Sequence, residues 1–334
     1  MSNLLINKGL GHFGGRQVGL VPGLANKANR PFLDAAESTF FLRQLEHIKT
    51  QVIDIEYAKL KASLLLPVST EVRPGAEYWT WRQFDKTGRA KVIRDYAKDL
   101  PRVDVLGAEF INNPIVSLGD SFGYNMNEIR NAQYTGFPLD QRRAMTAVEA
   151  ILRLEDDLAF FGSAEDGLFG FLNNSVMGEA VLPAVGAGGL TQWATKTADQ
   201  ILDDLNLLPR TIVTTSKEVE IPDTILLPTN AYQIASTKRI GRDSNMTVLK
   251  YFLETNPYIK DVESLPKLAG IGALGSDRMI CYERNPMKLE MIRPMAPTQY
   301  EPEKENLEYK VALESRFGGV VIYKPKSVIF ADGL

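Results

Sequence analysis

Cysteine occurs once in these 334 residues and histidine only twice. A single thiol excludes an internal disulfide framework and any zinc site built on cysteines. Cys281 lies in the apolar run Met279-Ile280-Cys281-Tyr282, where a buried, inert thiol is expected. His12 and His47 both fall near the start of the chain, so imidazole chemistry has little to draw on. No window approaches about 18 uninterrupted apolar residues, so no segment is read as crossing a membrane. The N-terminus lacks the apolar core and cleavage site of a signal peptide, so synthesis and residence inside a cell are expected. Charge of one sign is also missing: 38 basic residues face 41 acidic ones, a net charge of −3. That balance excludes a global basic field for sequence-specific nucleic-acid binding. The exception is local, because residues 1–33 contain no acid at all and carry Lys8, Arg16, Lys27 and Arg30.

What the chain does have is an unusual stretch from Leu64 to Val105. Tyr78 alternates with Trp79, and Trp81 and Phe84 follow, up to a polar turn expected at Asp85-Lys86-Thr87-Gly88; Ala90, Val92 and Ile93 read as the return strand. A half-buried strand carries apolar residues on one face only. A ribbon with large side chains on both faces is not covered by one core beneath it, and an isolated hairpin is marginal in water. Another molecule is the expected cover. From Trp81 to Arg94 the chain holds Arg82, Lys86, Arg89, Lys91 and Arg94 against Asp85 alone. These charges read either as a solvated, blunted strand edge or as electrostatic registration against an acidic neighbour.

Residues 1–31 hold six glycines without periodicity and read as an arm. A helix is expected from about Asp34, capped in the pattern Asp34-x-x-Glu37. Loose strands are expected between Glu109 and Tyr124, then a short helix after Asn125. The strongest helical pattern runs from Leu139 to Phe161, with Ala144, Val148, Ile151, Leu152, Leu158 and Phe161 on one stripe and Gly162 as the natural stop. Shorter helices are expected at about 197–208, 230–237 and 247–254. Strands are expected at 224–227, 279–283, 288–292, 307–317, 320–323 and 328–330. The class is α+β.

Three motifs invite chemistry. Gly119-Asp120-Ser121-Phe122-Gly123 matches the nucleophile elbow, which needs a strand–turn–helix setting and a later histidine; both histidines here precede Ser121. A serine hydrolase using Ser121 is therefore a remote alternative, and relief of crowding in a strand is the simpler reading. Gly270-Ile271-Gly272-Ala273-Leu274-Gly275 matches a dinucleotide fingerprint but runs into a strand pattern instead of a helix. It reads as a loop. The carboxylates Glu155, Asp156 and Asp157 read either as a solvated helix face or as acidic contacts for a neighbouring subunit.

The ordered combination resembles the major capsid proteins of tailed bacteriophages. The residues that carry it are FLRQLEHIKTQVIDIEY after the arm, GAEYWTWRQFDKTGRAKVI and DLPRVDV in the ribbon, GLFGFLN after the long helix, and RFGGVVIYKP near the end. The resemblance implies the Johnson (Hong Kong ninety-seven type) fold, which encapsulins share. It implies an N-terminal arm and helix at 1–60, an E-loop at 61–106, and a P-domain at 107–175 with a spine helix at 139–161. An A-domain at 176–293 and a return to the P-domain at 294–334 complete it. It further implies a non-enzymatic virion protein, made in the bacterial host cytoplasm, without cofactor or metal. Copies would form pentamers and hexamers of an icosahedral shell around double-stranded DNA, touched without sequence preference. Portal and scaffold proteins, and a decoration protein, are further implied partners. The inter-subunit residues would be Tyr78, Trp79, Trp81, Arg82, Phe84, Lys86, Arg89 and Lys91, meeting Glu155, Asp156 and Asp157 on a neighbour's spine helix. An encapsulin-like nanocompartment shell is the alternative.

Overall fold

The computed structural model describes residues 59–87, 104–135, 142–241 and 245–334, with backbone alone at 85–87, 104–112 and 135. The basic arm with Lys8, Arg16, Lys27 and Arg30, the helix expected from Asp34, the residues Arg89 and Lys91, and the first residues of the expected spine helix lie outside these. In chain order the elements begin with α1 (Ala62–Leu65), β1 (Val68–Ser69), β2 (Tyr78–Thr87), β3 (Asp104–Pro114), β4 (Val116–Asn125), α2 (Met126–Thr135) and α3 (Arg142–Phe161). They continue with β5 (Gly178–Val181), α4 (Ala198–Ser216), β6 (Thr224–Leu227), α5 (Thr229–Thr237), α6 (Val248–Thr255), β7 (Asp261–Ser264) and β8 (Arg278–Tyr282). The last are β9 (Leu289–Ile292), β10 (Met295–Gln299), β11 (Glu303–Glu305), β12 (Glu308–Phe317), β13 (Val320–Ile322) and β14 (Val328–Asp332).

Short strands with consecutive apolar residues form the centre. Ile225, Leu227, Met279, Cys281, Ile329 and Ala331 face one core, whereas Leu226, Ile280, Tyr282 and Val328 face another. That is the pattern of a sheet buried on both faces. Its order is β5-β14-β8-β6-β7, with β5/β14 and β6/β7 parallel and the inner pairs antiparallel. One face is covered by α4, α5 and α6 through Ile201, Leu205, Ala235 and Phe252. The other meets Ile151 and Phe160 of α3. β14, placed by resemblance in the returning segment, therefore supplies an inner strand to a sheet whose other members come from residues 178–282.

A second sheet runs alongside. β12 pairs with β4 from Val116↔Phe317 to Asn125↔Glu308, while β10 and β11 share its other edge. A small third sheet joins β1 in parallel to β9, and β9 to β13. α3 ends where expected: Gly162 takes φ +66°, and a Cβ there would stand 2.4 Å from the Leu168 carbonyl oxygen. Only glycine fits that close turn.

Two local expectations are corrected. The ribbon does not turn at 85–88. β2 continues through Thr87, which pairs with Asp104, and the return strand is β3, whose Pro114 lies opposite Tyr78. Asn112-Asn113-Pro114 sits at the end of this strand, where proline costs no ladder bond that the sheet needs. The helix expected to stop near 208 continues to Ser216 through Pro209. Leu208 and Ile212 carry the buried stripe past the proline, and burial there outweighs the lost hydrogen bond.

Candidate assembly surface

β2 places Trp79 and Trp81 on one face, over Val72, Ile115, Ile292 and Val321 and beside Tyr323. The Trp81 and Tyr323 rings meet edge to face at 5.2 Å, a favoured aromatic geometry. The Tyr323 hydroxyl donates to Glu290 Oε2 at 3.1 Å. Burial pushes the Glu290 carboxyl above its ordinary pKa, against the pull of hydrogen bonds from Tyr323 and Ser69. Burial likewise raises the Tyr323 phenol. A cleft of about 380 Å³ lies between ribbon and body, lined by Trp79, Trp81, Phe84, Met287, Glu290 and Tyr323. The chain itself half-buries both tryptophans.

Two ribbon aromatics stay bare. Tyr78 is 62% exposed, and Phe84, shifted by an irregularity in register between Arg82 and Phe84, is 58% exposed. Arg82 is exposed beside them, while Lys86 is fixed in the strand by its backbone pairing with Val105.

Two of the three acids of α3 are turned inward, which corrects their reading as contacts for a neighbour. Glu155 is 1% exposed; it accepts from Ser315 Oγ at 2.6 Å and pairs with Arg293 at 2.7 Å. Asp156 caps α1 by accepting the backbone N–H groups of Lys61 and Ala62 at 2.9 and 2.7 Å, and pairs with Lys267 at 2.6 Å. Burying a carboxylate without partners is costly, so these two fold the chain instead of meeting another. Only Asp157 shows solvent a substantial part of its side chain, and it too pairs with Lys267, at 2.7 Å.

A large apolar groove, about 610 Å³, opens on the β4–β12 sheet between Phe122, Tyr124, Ile129, Pro302, Tyr309 and Val311. Next to Pro302 and Tyr309 the chain exposes Glu301, Glu303, Glu305 and Glu308. Neither groove nor acidic strip was singled out from sequence, although the run Tyr-Glu-Pro-Glu-Lys-Glu-Asn-Leu-Glu was visible there. Ser121 stands exposed within β4, opposite Ala312, in continuous strand and not at an elbow. Gly270–Gly275 forms a loop ahead of β8, with Leu274 at φ +58° and fully exposed. Cys281 is fully buried, and burial pushes its thiol well above the ordinary range. Among the described residues no cluster of histidine, cysteine and carboxylates is arranged for a metal, and no helix is long and apolar enough to cross a membrane.

Comparison with solved structures finds the same fold. The capsid of Myoviridae phage XM1 matches with a TM-score of 0.73 at 19% identity, over 87% of this chain and 98% of that one. The capsid of an empty GTA particle matches at 0.58 and 13%, covering 86% and 94%. A virus-like particle from Pyrococcus furiosus matches at 0.51 and 14%, covering 80% and 91%. No curated protein matches the chain in sequence. A family model described as major capsid protein matches residues 88–334. With that match over most of its length, and with the mixed helix-and-sheet fold of phage capsids around a long spine helix and an extended ribbon, the chain belongs to the major capsid protein family, the self-associating structural proteins of virion shells.

Proposed function

We propose that copies of this chain form pentamers and hexamers that close an icosahedral shell around double-stranded DNA. The observation that carries this reading is the exposure of two ribbon aromatics, Tyr78 and Phe84, which stand in solvent beside Arg82. Covering each ring would contribute about 2 kcal/mol, an amount offset in part by the ordering of the ribbon. Many modest contacts then hold a closed shell. With Glu155 and Asp156 committed internally, the acidic surface that meets Arg82, Lys86, Arg89 and Lys91 is the Glu301–Glu308 strip of a neighbour, its groove receiving a ribbon aromatic. The basic arm contacts packaged DNA without sequence preference, so that contact weakens as salt rises. Portal, scaffold and decoration proteins belong to the same reading, as does synthesis in the cytoplasm of a bacterial host.

Imaging of purified Tyr78→Ser/Phe84→Ser protein by electron microscopy tests the proposal; folded subunits without shells are expected, and normal shells contradict it. Charge reversal at Arg82 should weaken assembly, and reversal at Glu303 in the same protein should restore it. A second reading, an encapsulin-like compartment, draws on the match to the Pyrococcus furiosus particle. Enzyme cargo in place of DNA inside native particles would favour it.

A further inference from the structure

The outer edge of β4 is the long strand edge on which the motif Gly119-Asp120-Ser121-Phe122-Gly123 falls. Its register with β12 sets which backbone groups face outward. Ala312, opposite Ser121, sends its carbonyl to Tyr300 N–H at 2.9 Å on the far side of β12. Ser121, and with it Gly123 and Asn125, therefore turns its own N–H and C=O away from β12. Such an edge is a template for adding a strand from another chain.

One outward group on each of these three residues is already occupied by a side chain of the same molecule. Asp120 Oδ1 accepts the Ser121 N–H at 2.7 Å. Arg143, from the first turn of α3, donates to the Gly123 carbonyl oxygen at 2.7 Å. Glu128 accepts the Asn125 N–H through Oε2 at 3.2 Å and holds Arg143 with both oxygens, at 2.9 and 3.0 Å. Arg143 also lies 5.2 Å from the centre of the Tyr124 ring. The Arg143 pairing and the Asn125 hydrogen bond hold the Glu128 carboxyl below its ordinary pKa, so it stays charged through the neutral range. On the β12 side of the strand, a Cβ at Gly123 would stand 3.2 Å from the Tyr309 carbonyl oxygen and would displace the exposed Glu308 side chain.

We propose that Asp120, Glu128 and Arg143 form an edge guard that blocks strand addition by a second copy of this chain. A protein that must crowd many copies together, with apolar ribbon surface exposed, has particular need of one. The guard leaves the ribbon face as the route of association and closes the sheet edge as a competing one.

The test uses the full chain carrying Asp120→Ala, Arg143→Ala or both. Hydrogen exchange of the wild type should show slowed Ser121 and Asn125 amides, with Ser121 about tenfold faster in Asp120→Ala. The double variant should divert from shells into irregular, thioflavin-positive aggregates. Adding Ser121→Pro to it should restore solubility, because proline removes the unguarded outward N–H. If the double variant is too unstable to purify, Asp120→Ala alone, which removes an exposed carboxylate, carries the aggregation test. Shell yields equal to wild type in these variants, or wild-type Ser121 and Asn125 amides exchanging as open ones, would overturn the proposal. Aggregates unaffected by Ser121→Pro would overturn it as well.

Discussion

The spine helix and the ribbon invert the usual placement of side chains. α3 buries two carboxylates, Glu155 and Asp156, whereas the ribbon sets two aromatic rings, Tyr78 and Phe84, in water. The helix closes its account within one chain: each buried oxygen meets an arginine, a lysine, a hydroxyl or a backbone N–H. The ribbon is satisfied on one face only, by Trp79 and Trp81 against Tyr323. Groups that hold the monomer together and groups left for association are thus separated in space, and residue type alone does not tell them apart.

That contrast can be broken or sharpened by substitution. Glu155→Ala should cost about 3 kcal/mol, because Arg293 is left with an unpaired, partly buried charge and the buried Ser315 without an acceptor; urea unfolding measures it, and a near-neutral result would place Glu155 with the ribbon aromatics. Trp81→Ala should cost about 2 kcal/mol, since its ring is half-buried at the ribbon base. Lost assembly without lost stability in that variant would mean the base is held from outside.

Glu290→Gln should raise the melting temperature near neutral pH. Its folded carboxyl titrates above the ordinary value because burial opposes its charge. Stability from the protonated form is fully present below the unfolded pKa and is lost as pH rises through the folded one. The gain from glutamine should therefore shrink as pH falls into the ordinary carboxylate range, and a gain independent of pH would refute this cause. The smallest change expected is in Phe84→Ala, whose monomer stability should stay within about 0.5 kcal/mol of wild type while assembly falls. Thermal melts paired with light scattering separate the two effects.

Much of the fold was legible where one local signal decided it. The apolar stripe and Gly162 marked the end of α3, Thr247 caps α6 where the spacing placed it, and the strand at 224–227 follows from its apolar run Ile225-Leu226-Leu227. What escaped depended on distant partners. Nothing local in Asn112-Asn113-Pro114 announces that it pairs with Tyr78, Trp79 and Thr80, and nothing beside Glu155 in sequence reveals Arg293. Pro209 misled for the same reason, because the core that carries α4 past it lies on other elements. The ribbon's bulk of aromatics was plain; which of them its own chain covers was set by Tyr323, more than 200 positions away.

The placement of β14 bears on timing. An inner strand of the main sheet is translated roughly 200 residues after the ribbon, a delay of about 10–40 s at bacterial and eukaryotic elongation rates. During that interval the nascent chain already displays Tyr78 and Phe84 but has a gap between β5 and β8. Ribosomes clustered on one message would therefore hold adhesive surfaces close together before any subunit has a finished body, and this is the period in which a chaperone would matter most.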